Sequence, residues 1–250
     1  MTRHIAVESV RAEFLLQLRD PITLVFTLAL PVLNLIVLAG VFGDQQDPTG
    51  AIFRGVGGST YYTPAYVALV GASVGLIAVP TQLAGYRDLG VLRRFRAAGI
   101  PGWAVLGSQL VVGLALAAVG ATLVVSLSFI LYHPKVPQSI GGVVTAFIVG
   151  TLAFLLLGLM LGALLPTARA AQGAGVLVWF VVLLIGGAGP PPEVLPAAMR
   201  TIGDFTPLHP MVIAIQDPWF ADAWNPSMLA ILAVIGLISG TVAVVRLSRE

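Results

Sequence analysis

The sequence predicts an all-α membrane protein with six transmembrane helices, and three observations carry that expectation. Of its 250 residues, 58% are hydrophobic and 10% charged, against the roughly 25% charged typical of a soluble domain. Apolar runs of about twenty residues, the length that crosses a hydrocarbon core of about 30 Å, recur at 22–42, 65–85, 105–131, 143–165, 171–188 and 228–245. All 24 Lys, Arg, Asp and Glu residues lie outside these runs. The intramembrane charges that mark many ion-coupled pumps are therefore missing from them.

Ahead of the first run, the segment 1–21 carries Glu8, Glu13 and Asp20 and lacks the short apolar core of a cleavable signal. The first run is expected to stay as a transmembrane helix. Val7, Val10, Phe14 and Leu18 recur at helical spacing, which predicts an interfacial helix that Asp20-Pro21 turns inward. Pro31 and Pro80 predict kinks in the first and second spans. "GVGGST" at 55–60 follows no strand and reads as a turn. The pairs Gly71/Gly75, Gly158/Gly162 and Gly236/Gly240 are spaced one helical turn apart, which predicts close packing within the bundle. Asn34, Gln82, Thr122, Ser126 and Ser128 are the polar residues singled out inside spans. They either bond a neighbouring helix or line a substrate path.

Six spans put both termini on one side of the membrane. Ten cations fall on that side (Arg3, Arg11, Arg19, Arg87, Arg93, Arg94, Arg96, Arg169, Arg246, Arg249) and three on the other (Arg54, Lys135, Arg200). The positive-inside rule makes the termini cytoplasmic. The outer element 189–227 carries eight prolines. Short helices are expected over 194–202 and 211–215 as re-entrant or interfacial pieces, with Trp219, Phe220 and Trp224 in an aromatic belt. The whole chain, 1–250, reads as one membrane domain: the interfacial helix 1–21, spans one to five over 22–188, the outer element, and the sixth span with its tail over 228–250.

The sequence holds no cysteine, and His4, His133 and His209 are scattered, so neither a metal site nor thiolate chemistry is indicated. His209 with Asp204 or Asp217 is the one candidate acid/base pair, which keeps a membrane transferase as an alternative. The net charge of +2 does not point to nucleic acid. The basic island 86–98 remains. As a helix it groups Val91, Leu92 and Phe95 on one face and Arg87, Arg93, Arg94 and Ala97 on the other. Such a helix either lies on anionic headgroups or docks a cytosolic partner, and periodicity leaves both open.

"DLGVLRRFRAAGIPGW" resembles the cytoplasmic loop of type-2 ABC exporter permeases, with Asp88, Gly90, Leu92, Arg93, Arg94, Phe95 and Pro101 at the matching places. "LPTARAAQGAG" is similar to that family's turn into the fifth span. "GPPPEVLPAAMRTIGDFTPLHP" is similar to its outer proline-glutamate element, through Pro191, Glu193, Pro196, Pro207 and Leu208. The three occur in the family's order around six spans, and the daunorubicin-resistance permeases look most similar. The resemblance implies a permease subunit of the bacterial plasma membrane that moves a hydrophobic or amphipathic substrate (drug, antibiotic, lipid or glycolipid) outward by alternating access. Its partners would be a second permease copy or paralogue, membrane lipid and two ABC ATPase subunits, which bind the ATP and Mg; the chain's own sequence has no phosphate loop. Arg87, Asp88, Gly90, Leu92, Arg93, Arg94, Phe95 and Arg96 would couple to the ATPase. Pro191, Glu193, Leu195, Pro196, Pro207, Leu208 and Ile213 would form an outer gate. An ion-coupled carrier is the other alternative.

Overall fold

The computed structural model describes residues 20–44, 50–99 and 101–248, the side chains of Ile22 and Arg96 excepted. The predicted interfacial helix before residue 20 lies outside the described residues. Six helices are long and apolar enough to cross a membrane: α1 (Val25–Phe42), α2 (Gly58–Asp88), α4 (Gly102–Tyr132), α5 (Ile140–Leu164), α6 (Ala168–Ile185) and α9 (Pro226–Ser248). Three shorter helices are α3 (Val91–Ala97), α7 (Ala197–Asp204) and α8 (Leu208–Phe220), and a single helical turn, Pro21–Leu24, leads into α1. All six apolar runs are helical, as the sequence predicts, with changed boundaries. α2 begins seven residues before the predicted run because Ser59, Thr60, Tyr61, Tyr62 and Thr63 are buried by neighbouring elements. Its last turn takes in Arg87 and Asp88, and the ends of α6 and α9 take in Arg169 and Arg246. These charges sit in terminal turns of their helices.

α2 is the axis of the bundle. In its most apolar stretch 89% of the residues are buried, against 22% to 44% in the other five helices. α1, α4, α5, α6 and α8 all pack on α2, while α9 packs mainly on α5. The close approaches use glycine. A Cβ at Gly158 of α5 would strike the carbonyl oxygen of Gly75, and one at Gly175 of α6 would strike that of Leu76. One at Gly162 would meet Leu83 and Pro80, and Gly236 and Gly240 of α9 lie against Ala153 and Leu156. The predicted small-residue pairs therefore pack within the chain.

The two prolines act through π turns. Pro31 and Pro80 each follow a five-residue π segment, Val25–Ala29 and Val74–Ala78. In α2, Val79 gives its N–H to Val74, and Pro80 has none to give to Leu76. The carbonyls of Gly75 and Leu76 thus lose the donors four residues on. Those are the two carbonyls that Gly158 and Gly175 face, an arrangement suited to Cα–H···O contacts between helices.

Side-chain bonds fix the remaining neighbours. Trp179 Nε1 donates to Ser73 Oγ at 2.6 Å, joining α6 to α2, and Tyr132 OH donates to the Ile36 carbonyl at 2.6 Å, joining α4 to α1. The "GVGGST" stretch is partly helical, not wholly a turn. Gly58–Thr60 open α2, and Asp44 Oδ1 accepts from Ser59 Oγ at 2.8 Å and Thr60 Oγ1 at 3.0 Å. A carboxylate there is favoured by the positive end of the helix dipole.

The outer element also departs from expectation. A 3-10 turn spans Pro192–Val194, and α7 starts only at Ala197 because Pro196 precedes it. α8 runs thirteen residues rather than the predicted five; Pro210 lies in its first turn, where a missing N–H costs nothing. Trp219 is 3% exposed and donates to the Lys135 carbonyl at 2.9 Å. It pins α8 to the chain before α5 and belongs to no lipid-facing belt; Trp224 is exposed.

Candidate functional site

At the arginine-rich end of the bundle the island is two helices. Tyr86, Arg87 and Asp88 close α2, Gly90 takes a left-handed φ of +67°, and α3 starts anew at Val91. The predicted single helix over 86–98 is broken there because the turn needs a residue without a Cβ. Arg87 points back into the bundle. One guanidinium nitrogen donates to the carbonyls of Gly162 and Leu165, both at 2.9 Å. It satisfies carbonyls that the end of α5 leaves without helical donors, so its position is that of a clamp between α2 and α5.

α3 turns its apolar face inward. Phe95 meets the edge of Tyr86 with ring centroids 6.2 Å apart. Leu92 and Phe95 line a cavity of about 450 Å³ together with Trp103, Leu106 and Leu247, from the start of α4 and the end of α9. Arg93 and Arg94 are exposed, as is Leu89 at 72%. The surface available to a partner is thus Asp88, Leu89, Arg93 and Arg94, while Leu92 and Phe95 seat α3 on the bundle.

The predicted path residues do not converge. Asn34 lines a cavity of about 420 Å³ between α1 and α6 near the opposite end. Gln82 lines a smaller one with Asp20, Thr23 and Tyr86, and its amide donates to the Tyr86 hydroxyl at 3.2 Å. Thr122 and Ser126 line a groove between α4 and α5, and the Thr122 hydroxyl donates to Ala118 O at 2.8 Å. Ser128 is buried with its hydroxyl on that of Thr63, which ties α4 to α2. Only Asn34 shares a cavity with residues from α1, α2 and α6. The residues beside it that sequence reasoning passed over are Tyr62 and Tyr66.

The outer gate residues divide in the same way. Pro191 lines the α1–α6 cavity. Glu193 lies beside it with a buried Oε2 that has no hydrogen-bond partner among the described residues. Arg200 donates to the carbonyls of Pro192, Glu193 and Leu195, at 2.9, 3.1 and 3.4 Å, and so holds this turn from α7. Leu195 and Pro196 lead into α7; Pro207 and Leu208 lead into α8, where Leu208 is fully buried and Ile213 half-buried. A Cβ at Gly71 would lie 2.9 Å from Met211 Cε. Gly71 is thirteen residues along α2, about 20 Å from its start, so the first turn of α8 reaches deep into the bundle.

A latch joins this element to the α1–α2 connection. Arg54 donates to Asp217 Oδ1 at 2.7 Å and Gln216 Oε1 at 3.1 Å, with its guanidinium 5.5 Å from the Phe220 ring centre. Phe53 and Arg54 both sit in left-handed backbone, φ +57° and +55°, at a cost of about 1–2 kcal/mol each. Phe53 is buried against Phe42, Tyr61 and Tyr62 at 5.1 to 5.7 Å, which offsets that strain. His209 Nε2 lies 3.8 Å from Asp204 Oδ1, beyond hydrogen-bond reach. Burial pushes the imidazole below its ordinary value; Asp204 opposes the shift and Arg54 adds to it. Asp217, the other candidate partner, is engaged by Arg54 and Asn225.

A family model described as ABC-2 type transporter matches residues 7–220 of the chain. A search of the curated proteins finds no match.

Proposed function

Because this chain belongs to the ABC-2 type transporter family, and is thus a multi-pass membrane permease subunit, we propose that it exports a hydrophobic or amphipathic substrate. A separate ATPase supplies the energy. In this reading two permeases, identical or paralogous, stand on two ATPase subunits in the bacterial plasma membrane, with the termini and α3 cytoplasmic. The ten-to-three division of cations supports that orientation.

The observation that carries the proposal is the seat of α3. It presents Arg93 and Arg94 outward, follows directly on the most buried helix, and rests with Leu92 and Phe95 on the ends of α4 and α9. A push on α3 therefore passes along α2 to the α1–α6 cavity, which is our candidate pathway. The residues that line that cavity are uncharged, with Glu193 the one charged residue of the turn beside it, and an uncompensated charge would be costly there. Burial of α8 within protein satisfies the requirement for a re-entrant piece. Together with the turn 190–196 it forms the outer gate in this reading.

Two measurements test the proposal. Tagged permease is expected to co-purify with an ATPase whose hydrolysis is stimulated by transported substrate; an ion-coupled carrier or a transferase acting through His209 needs no such partner, and its absence would sink the assignment. Single cysteines at Pro134 and Asp222 are expected to label from outside intact cells, and those at Ala98 and Thr167 to stay protected. External labelling at Ala98 would invert the orientation and remove α3 from reach of any ATPase.

A further inference from the structure

Between α4 and α5 lies a groove of about 500 Å³ that the candidate pathway does not use. It shares no lining residue with the α1–α6 cavity. On the α4 side it runs from Leu114 to Ser126 over the small side chains of Ala118, Ala121 and Thr122. That is a rise of about 18 Å, close to the ~15 Å that one leaflet contributes to a hydrocarbon core of about 30 Å. The Thr122 hydroxyl is spent on the Ala118 carbonyl, so the floor is hydrocarbon in character. Val119, Leu123 and Val144 flank it and are 43% to 51% exposed, which places the groove on a surface that faces lipid.

Polar groups gather at the end remote from α3. α4 ends at Tyr132 and α5 begins at Ile140, so residues 133–139 cross that end of the groove. Lys135 sits in the middle of the crossing. Its carbonyl accepts from Nε1 of Trp219, itself a lining residue, at 2.9 Å. Its side chain is exposed and forms no ion pair among the described residues. Trp224 stands on the α5 bank: it is exposed, and its Nε1 lies 3.3 Å from where a Cβ on Gly142 would stand, one residue before the lining Val143. Ser126, the lining residue of α4 nearest this end, adds a hydroxyl.

We propose that this groove holds one acyl chain of an anionic glycerophospholipid, whose phosphate meets the Lys135 ammonium and whose glycerol backbone lies beside Ser126 and the Trp224 indole. The change from a hydrocarbon floor to a cationic, hydrogen-bonding mouth matches a lipid standing in one leaflet. A zwitterionic headgroup carries its own cation and gains less from Lys135. A spanning helix of a second copy would suit the small floor, but residues 133–139 close the end past which such a helix must run. Because Trp219 belongs to both the groove and α8, the lipid also braces the seat of α8. The proposal rests on the chain's being a membrane protein, not on export or on orientation.

The test titrates full-length permease in detergent with phosphatidylglycerol and with phosphatidylcholine of identical acyl chains. Bound lipid is counted by native mass spectrometry, and thermal unfolding is followed on the same samples. The expected result is one phosphatidylglycerol held about fivefold more tightly than phosphatidylcholine, with a raised unfolding temperature. Lys135→Gln is expected to abolish the preference while leaving phosphatidylcholine binding as it was. Ala118→Phe, which fills the groove from an exposed position, should weaken both lipids, whereas Ala230→Phe on the exposed face of α9 should weaken neither. Equal binding of the two lipids by the parent overturns the proposal, as does a preference that survives Lys135→Gln. So does undiminished lipid binding in Ala118→Phe; loss of a dimer mass in that variant alone would give the groove to a second copy. Lys135→Gln alters only an exposed side chain, so it decides the matter even where Ala118→Phe fails to fold. No ATPase enters the measurement, so this result and the co-purification result can fail separately.

Discussion

A permease carrying Arg93→Glu and Arg94→Glu is expected to insert and fold as the parent does, while substrate-stimulated ATP hydrolysis falls to the basal rate. Both side chains are exposed on α3, so neither change disturbs the bundle. In the proposed complex Arg93 and Arg94 meet acidic groups of the ATPase; the glutamates turn these pairs into like charges, and like-charge juxtaposition costs several kcal/mol. That is a hundredfold or more in affinity. Phe95→Ala acts through a different link: it loosens α3 from Tyr86 and from the cavity shared with Trp103 and Leu247, so it is expected to weaken coupling less and to leave docking in place. Arg87→Ala provides the contrast. It removes the bonds to Gly162 and Leu165, each worth about 1.5–3 kcal/mol where the donor is charged, less at this half-buried site. The expected outcome is a lower unfolding temperature with ATPase docking preserved. Stimulated hydrolysis measured with a co-purified ATPase separates the cases. Unchanged stimulation in the double glutamate variant would assign the arginines to lipid headgroups instead.

What the sequence showed and what it hid divide along a physical line. The six spans were legible because hydropathy over twenty residues is a local quantity, and the glycine pairs because small residues one turn apart have few other uses in a span. The outer third of α2 was not legible. Ser59, Thr60 and Thr63 look solvated until α4, α8 and Asp44 surround them. Arg87 was grouped with its charged neighbours, yet its acceptors lie 75 and 78 residues away. The left-handed turn at Phe53 and Arg54 has no sequence signature, since neither residue favours positive φ and the compensating partner, Asp217, is 163 residues distant. Tyr62 precedes the predicted second span and Tyr66 was not among the polar residues singled out inside it; only the fold shows both rings fully buried. The same distance effect scattered the predicted path residues, because position along a span says nothing about which cavity a side chain meets.

The largest stability effect is expected at the crossing of α2 and α5. Gly158→Ala adds one methyl, which in an open helix site would stabilise by about 0.5–1 kcal/mol by restricting the unfolded chain. At Gly158 the methyl instead meets the Gly75 carbonyl oxygen and approaches Val79 Cβ to 3.1 Å. That carbonyl belongs to the π segment and has already lost its donor four residues on. α5 must then retreat from α2. The retreat also separates Gly162 from Pro80 and Leu83, and α9 follows because it packs on α5. Overpacking of this kind costs about 1–3 kcal/mol, and the obstruction here is backbone, which places Gly158→Ala at the upper end and Gly158→Val beyond it. Gly173→Ala is the matched control: the site is exposed on α6, nothing among the described residues stands within 4 Å of the added Cβ, and the intrinsic gain should appear undiminished. Thermal unfolding of the purified variants in detergent should therefore move in opposite directions, down by several degrees at Gly158 and slightly up at Gly173. Equal tolerance at the two positions would mean that α2 and α5 do not cross in this register. The route from α3 through α2 to the cavity would then lose its fixed support.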